Sequence, residues 1–291
     1  MKSVKVLNIH QFHDHDSAED FYANTLENHL VTRHKDIALP HSHNFYLAIL
    51  FTQGTGTHEV DFSVYPVKPG MLFFLNPGQT HHWELSDDTK GYIFFHTRPF
   101  YELQYTHTSL SQFPFYYSMH NLPCLNLNKE DTEKITGLFK QVYLENHLVN
   151  KFKEQALASL ISLIYIEASR LYKNNNVIPG NNGYYTKFRK LEELVEENYK
   201  VEKSPAKYAS MLAMTAKHLN RITQAVTGKT ATDVILDRVL LEAKKEMILQ
   251  HGSLNQIAEA LGYEDYAYFS RLFKNKTGET PSQFLERYGK T

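Results

Sequence analysis

The sequence predicts a two-domain α+β chain, an N-terminal β-barrel with added helices followed by an all-helical C-terminal domain. Three observations carry this: short apolar runs at regular turn spacing up to about residue 97, helical periodicity after Leu127, and a helix-turn-helix pattern that occurs twice in the last hundred residues. A length of 291 residues suits two domains, expected at 1–173 and 184–291 with a linker at 174–183. Hydrophobic content of 42% with 22% charged residues is ordinary for a globular chain with a sizeable core.

The formal net charge of −1 hides an asymmetry. From Tyr184 onward 17 Lys and Arg stand against 14 Asp and Glu, and the rest of the chain holds 14 against 18. That is a mild C-terminal bias toward nucleic acid. Cys124 is the single cysteine, which excludes an intrachain disulfide and any cysteine-based zinc site. His13, Asp14, His15 and Asp16 follow the start too closely to leave an apolar signal core, and His10, His13 and His15 read as an exposed N-terminal arm. No stretch approaches the ~20 apolar residues of a membrane span, so the expected location is cytoplasmic.

The β-rich half begins near Ala38. Phe45 to Thr52 is a β-forming run, closed by the turn Gln53-Gly54-Thr55-Gly56. Thr57 to Val64 alternates like one half-buried strand, and Gly91 to His96 is a further apolar strand. Pro69-Gly70, Pro77-Gly78 and Ser86-Asp87-Asp88 mark the turns between.

Two helices are expected next, Lys129 to Glu145 and Lys151 to Tyr172. In the second, Leu157, Leu160, Ile161, Ile164, Ala168 and Leu171 make one apolar stripe, while Leu163 and Ile166 add apolar surface on another side. So wide a face suits burial against both the barrel and a partner subunit, or else one deep site within the chain. Asn174 to Gly183 has turn formers and no core periodicity, which marks the linker.

The C-terminal helices are well punctuated. Ser204-Pro205 and Thr280-Pro281 place an N-cap hydroxyl before a proline at the first helical position. Ser253/Gln256 and Thr280/Gln283 have capping-box spacing, and Gly228 and Gly278 are helix stops. Helices are therefore expected near 187–199, 205–212, 216–227, 231–250, 254–261, 266–277 and 281–287.

Ala209, Leu212, Leu219, Arg221, Ile222, Thr227, Gly228 and Thr230 recur as Ala258, Leu261, Phe269, Arg271, Leu272, Thr277, Gly278 and Thr280. The offset is 49 before the turn and 50 after it, so the second turn carries one extra residue. Two copies are too few for a solenoid, and a polar, Arg-bearing outer face suits a DNA reader with two probes. Leu219, Ile222 and Val226 can face the core of helix 216–227, leaving Lys217, Asn220 and Arg221 together on the far side. Arg and Lys donate to guanine O6 and N7, and Asn pairs with adenine N6 and N7. The corresponding second set is Ala267, Ser270 and Arg271, with a guanine read by Arg271 and a thymine methyl by Ala267. About twenty residues from Ala231 to Gln250 give a rod of ~30 Å, close to the ~34 Å between successive major-groove faces of B-DNA.

Over about Lys187 to Tyr288 the sequence resembles the AraC family of bacterial transcription regulators. The resemblance rests on Ile257-Ala-Glu-Ala-Leu-Gly-Tyr263, Tyr268-Phe-Ser-Arg-Leu-Phe-Lys274 and Thr277-Gly-Glu-Thr-Pro-Ser-Gln-Phe284. The first unit departs from the family pattern at Ile222-Thr223, where an aromatic and a basic residue are more usual. His41-Ser42-His43, Pro69-Gly70 and Pro77-Gly78-Gln-Thr-His81 resemble the two short motifs of cupin barrels, over roughly residues 35–97. The resemblance implies a barrel that binds a small effector inside.

Metal-binding cupins use two His, a Glu and a third His. Here His41, His43 and His81 stand without a carboxylate in Asn44 to Leu50, and Glu59 and Glu84 have the wrong spacing. Three imidazoles could hold Zn²⁺ or Fe²⁺; alternatively they line a ligand site or are polar loop residues. No metal or other cofactor is assigned. The effector set is His41, His43, His81 and Trp83, since an indole face beside polar donors suits a sugar or another amphipathic ligand. The reading is a regulator and not an enzyme, with double-stranded DNA, a small-molecule effector, a second copy of the chain and RNA polymerase as partners, and no membrane. The alternatives are a metal-dependent cupin enzyme with an accessory helical domain, and a regulator whose barrel only dimerises.

Overall fold

The computed structural model describes residues 5–12, 20–32, 40–104, 110–118, 120–172, 182–249 and 252–289. The chain divides into two compact units, 5–173 and, apart from the first four residues, 174–291. The first holds ten strands among the described residues: β1 (Lys5–Leu7), β2 (Phe21–Thr25), β3 (His41–His43), β4 (Tyr46–Gln53), β5 (Gly56–Val60), β6 (Ser63–Val67), β7 (Met71–Leu75), β8 (His81–Leu85), β9 (Lys90–His96) and β10 (Cys124–Asn126). They form two five-stranded sheets, ordered β1-β3-β8-β5-β6 and β10-β7-β4-β9-β2.

The two sheets share one core and the helices supply another. Leu47, Ile49 and Phe51 of β4, Phe73 of β7 and Ile93 and Phe95 of β9 join Val60 and Trp83 in the inner cluster. The alternate residues Ala48, Leu50, Leu72, Phe74 and Phe94 join a second cluster with Phe139, Leu157, Ile161 and Tyr165. Being covered on both faces is why β4, β7 and β9 read as continuous apolar runs. The covering helices include α2 (Arg98–Glu102), α3 (Pro114–Tyr117), α4 (Lys129–His147) and α5 (Lys153–Leu171), whereas α1 (Leu26–Thr32) packs Leu26 into the inner cluster. On α5 the expected stripe faces the core, with Leu157, Ile161, Ile164 and Ala168 buried and Leu160 and Leu171 partly buried, whereas Leu163 and Ile166 are each 41% exposed.

Three expectations need correcting here. Thr57 to Val64 is not one strand: Asp61 and Phe62 both have positive φ, 45° and 68°, and turn the chain into the β5–β6 hairpin. Asp61 fixes that turn by accepting from the Thr80 amide (3.0 Å) and from Gln79 Nε2 (2.9 Å). Secondly, residues 5–12 are not a loose arm. β1 pairs in parallel with β3, and Ile9 and Phe12 are buried in the inner cluster, although His10 is exposed. His13 and His15 lie outside the described residues. Thirdly, helix begins at Asn182, inside the expected linker, whose residues 174–181 also lie outside the described set.

The second unit is helical: α6 (Asn182–Asn198), α7 (Pro205–Met211), α8 (Ala216–Thr227), α9 (Ala231–Leu249), α10 (Leu254–Ala260), α11 (Tyr266–Thr277) and α12 (Pro281–Gly289). The capping boxes form at Ser253/Gln256 and Thr280/Gln283, and Gly228 and Gly278 end α8 and α11 in the left-handed conformation. Ser204 stands at the N-cap of α7, but its hydroxyl makes no capping bond; its amide donates instead to Glu202 Oε1 at 2.7 Å. Arg238 on α9 ties α6 down. Burial opposes its charge, but a fork onto Glu196 at 2.6 and 2.9 Å and a bond to Glu242 at 2.9 Å hold it fully protonated.

Candidate nucleic-acid interface and barrel interior

Both helix-turn-helix turns are built from the same backbone bonds. Met214 N donates to Ala209 O (2.9 Å) and Ala213 N to Ser210 O (3.0 Å). In the second unit Tyr263 N donates to Ala258 O (2.9 Å) and Gly262 N to Glu259 O (2.8 Å). Each pair is a Schellman motif with one left-handed residue, Ala213 (φ 52°) or Gly262 (φ 79°). The additional residue of the second turn follows this motif: four residues separate α7 from α8 and five separate α10 from α11. Both α8 and α10 pack on α9.

The turns present one polar face on each second helix. Leu219, Ile222 and Val226 are buried, and Lys217, Asn220 and Arg221 are exposed as the spacing requires. On α11, Ala267 and Arg271 are exposed and Ser270 is half-buried. Thr223, at a departure from the family pattern, is 0% exposed, and its hydroxyl donates back to Asn220 O (3.0 Å).

Asn220 is not disposed as a free adenine reader. Its Oδ1 accepts from Ala231 N at 3.0 Å, so it caps the first residue of α9. Bidentate pairing with adenine needs that same oxygen. The second unit explains the choice of residue: fifty positions on, Ser270 replaces Asn220 and Pro281 replaces Ala231. Proline has no amide hydrogen to satisfy, so no cap is needed there. Arg221 is likewise engaged. Its Nη2 donates to His218 Nδ1 (2.8 Å), and its guanidinium lies 5.9 Å from the Tyr184 ring centroid on α6. Lys187 Nζ, also from α6, lies 3.4 Å from His218 Nε2.

In the barrel, sheet register gathers all four expected residues in the interior. β3 meets β8 at His41 and His81, and β5 meets β8 with His58 opposite Trp83. The rings of His41 and His81 lie 4.3 Å apart, and Trp83 lies 5.3 Å from His81 and 5.4 Å from His58. His58 Nε2 is within 3.0 Å of His81 Nδ1. Glu59 and Glu84 alternate to the outer face and supply no carboxylate to this cluster. Among the described residues no group of three or more His, Cys, Asp or Glu is arranged to hold a metal ion.

His43 is the best-defined imidazole. Nδ1 lies 2.7 Å from Phe45 O, and because a carbonyl only accepts, Nδ1 carries the proton. Nε2 is then a lone-pair acceptor, buried without a hydrogen-bond partner among the described residues. Burial drives its pKa down to about 3; the Phe45 bond opposes this and His41 adds to it. The ring is neutral at physiological pH.

Sequence reasoning missed His58, which shares the inward face of β5 with Val60 and was available from their period-two spacing. It also missed His29, 2% exposed and 3.0 Å from Tyr22 O–H, and His96. His96 faces the helices: Nδ1 donates to Thr97 O (2.9 Å), and Nε2 accepts from Tyr165 O–H (2.6 Å), which also meets Tyr116 O–H (3.1 Å). Burial lowers the His96 pKa to about 4. In the sequence it is only the end of an apolar run.

Comparison with known proteins agrees with both halves. A family model described as "AraC-like ligand binding domain" matches residues 32–143, and one described as "Helix-turn-helix domain" matches residues 208–287. The transcriptional activator RhaR of Mannheimia succiniciproducens is 23% identical over 88% of this chain and 90% of its own. The uncharacterized HTH-type transcriptional regulator YfiF of Bacillus subtilis is 23% identical over 89% of this chain and 82% of its own. The solved structure of ToxT from Vibrio cholerae aligns at 15% identity over 91% of this chain and 98% of that one, with a TM-score of 0.46. Among the described residues no helix is long and apolar enough to cross a membrane. An effector-binding β-domain followed by two equivalent helix-turn-helix units makes this chain a transcription regulator of the AraC family.

Proposed function

We propose that the two helix-turn-helix units read two successive major grooves, and that a small polar molecule, a sugar by preference, binds in the barrel and adjusts that reading. The observation that carries this is the repeated turn. Two Schellman turns of identical bonding present α8 and α11, and the two units are joined by one long helix, α9, whose 19 residues span about 28 Å. That is close to the ~34 Å repeat of the major groove. Lys217 and Arg221 on α8, and Ala267, Ser270 and Arg271 on α11, are the DNA-contacting set, with Asn220 holding α9 in place. His41, His43, His81 and Trp83, joined by His58, form the effector set. An indole face beside imidazoles offers stacking and hydrogen bonding to a hydroxylated ligand.

The exposed pair Leu163 and Ile166 supports a homodimer formed through α5, so that two reader modules bind one operator. RNA polymerase is the further partner a transcription regulator requires, and the site of action is cytoplasmic. Enzymatic chemistry has no part in this reading. Effector binding changes DNA affinity only through different interaction free energies with two arrangements of the chain. The test is selection from a random duplex pool with the full chain, followed by a screen of neutral sugars for shifts in melting monitored at Trp83. A selected site with two half-elements about one helical turn apart, its affinity altered by a sugar that stabilises the barrel, is the expected result. Selection of a single short element would refute the two-groove reading.

A further inference from the structure

We infer that Lys187, His218 and Arg221 form a clamp for one phosphodiester of the DNA backbone, so that Arg221 positions the first unit and does not read a base. The inference rests on the DNA-reading role of α8 and deepens it.

The argument starts from donors and acceptors around one ring. A guanidinium has no acceptor, so His218 Nδ1, 2.8 Å from Arg221 Nη2, must accept. In the neutral ring the proton then sits on Nε2. That N–H points at Lys187 Nζ, 3.4 Å away, and an ammonium also only donates. Two donors face one another with two cations flanking one imidazole. Among the described residues no acidic side chain forms an ion pair with Lys187 or Arg221, and the His218 pKa is lowered by partial desolvation and then by these two cations.

An anion resolves this arrangement. One phosphate oxygen accepts from both His218 Nε2–H and Lys187 Nζ, and a second can accept from the guanidinium, as charge-assisted bonds. The geometry is held by protein. Tyr184 lies beneath the Arg221 guanidinium and edge-on to His218 with centroids 5.9 Å apart, and the His218 amide donates to Thr215 Oγ1 at 3.2 Å. The cluster sits in the first half of α8, where the N-terminal helix charge also favours an anion. It flanks Lys217, so with α8 in the major groove the phosphate offered is that of the adjoining strand. In the second unit Tyr268 occupies the position of His218, so this clamp belongs to the first unit alone.

The test uses the full chain and the duplex most enriched by it from a random pool. The salt dependence of affinity is measured for wild type, Lys187→Gln, Arg221→Gln, and Lys187→Arg as the conservative rescue. The expected result is a slope of log K against log salt reduced by about 1 for each Gln variant, an unchanged preferred sequence, and a near-wild-type slope for Lys187→Arg. Melting curves establish that each variant is folded, and His218→Phe provides a second route if Lys187→Gln is not: it should weaken all sequences uniformly. An unchanged slope in folded Lys187→Gln overturns the clamp. So does a change in the preferred base at one position with Arg221→Gln, which would make it a base reader. If wild type enriches no sequence, the DNA-reading role fails together with the clamp.

Discussion

Replacing Asn220 by Ala should destabilise the helical unit, and a second substitution should remove that cost. Among the described residues the Asn220 side chain supplies the acceptor, at 3.0 Å, for the Ala231 amide at the start of α9. Ala231 is only 1% exposed, so water is poorly placed to replace the lost bond. Leaving a buried donor unsatisfied costs about 1–3 kcal/mol. For a domain of this size that is a fall of roughly 4–8 °C per kcal/mol in melting temperature. Ala231→Pro removes the donor itself and recreates the pairing of Ser270 with Pro281. Proline suits the first helical turn, and Thr230 and Asp233 already exchange the bonds (3.3 and 3.1 Å) that Thr280 and Gln283 exchange before Pro281. In the Ala231→Pro background, Asn220→Ala should therefore cost less than about 0.5 kcal/mol, a coupling of at least ~0.5 kcal/mol. The assay is urea unfolding of the full chain by far-UV circular dichroism. Fluorescence of Trp83, the single tryptophan and a barrel residue, is the internal control that should not move. Equal costs of Asn220→Ala in both backgrounds would refute the cap. A lost preference for an A·T pair that persists in the Ala231→Pro background would restore Asn220 as a base reader.

The two turns make opposite predictions. Ala213→Gly relieves a left-handed alanine and should stabilise the helical unit by about 0.5–1 kcal/mol, whereas Gly262→Ala should destabilise it by more, because the new Cβ would lie 2.2 Å from Lys200 O; chemical denaturation of both variants checks the signs. Barrel stability should fall on acidification. His43 and His96 have folded pKa values lowered to about 3 and about 4 from 6.5, so below 6.5 the unfolded chain binds protons that the folded chain does not. Stability is complete above about pH 6.5 and is lost as pH falls toward 4 and then 3, and His96→Gln should remove one proton from the slope of Trp83-monitored stability between pH 6.5 and 4. Finally, Leu163→Glu with Ile166→Glu should convert a dimer into a folded monomer in sedimentation; a monomeric wild type at micromolar concentration would end the α5 proposal.

What the sequence disclosed, and what it did not, divides along the line between local and non-local determinants. The C-terminal helices were legible because their ends are written in adjacent residues: a Ser with Gln three positions on, a Gly after the last apolar position, a Pro after a Thr. The 49/50 offset went further and located the additional residue in the second turn, since a duplicated unit reports its own alignment. The barrel was legible only as a class. Its interior depends on which strand meets which, and the pairing of Lys5–Leu7 with His41–His43 brings together segments more than thirty residues apart. The hairpin at Asp61 and Phe62 was hidden because Asp61 is followed by a bulky phenylalanine that rarely adopts the left-handed conformation, and the bonds that hold Asp61 come from Gln79 and Thr80 across the sheet.

The assignments for side chains on α8 were the least secure for the same reason, and the duplication shows how they could have been refined. An exposed Asn on a recognition helix has two uses, pairing with adenine or capping a neighbouring helix, and the residue alone does not distinguish them. Its companion does. Where the repeat keeps an amide at the first position of the next helix it has Asn220, and where it has proline it has Ser270. A base reader would have no reason to change with a residue eleven positions away, whereas a cap must. Internal repeats thus carry a form of double-mutant evidence inside one chain, in which paired differences between copies mark residues that serve each other before they serve a ligand.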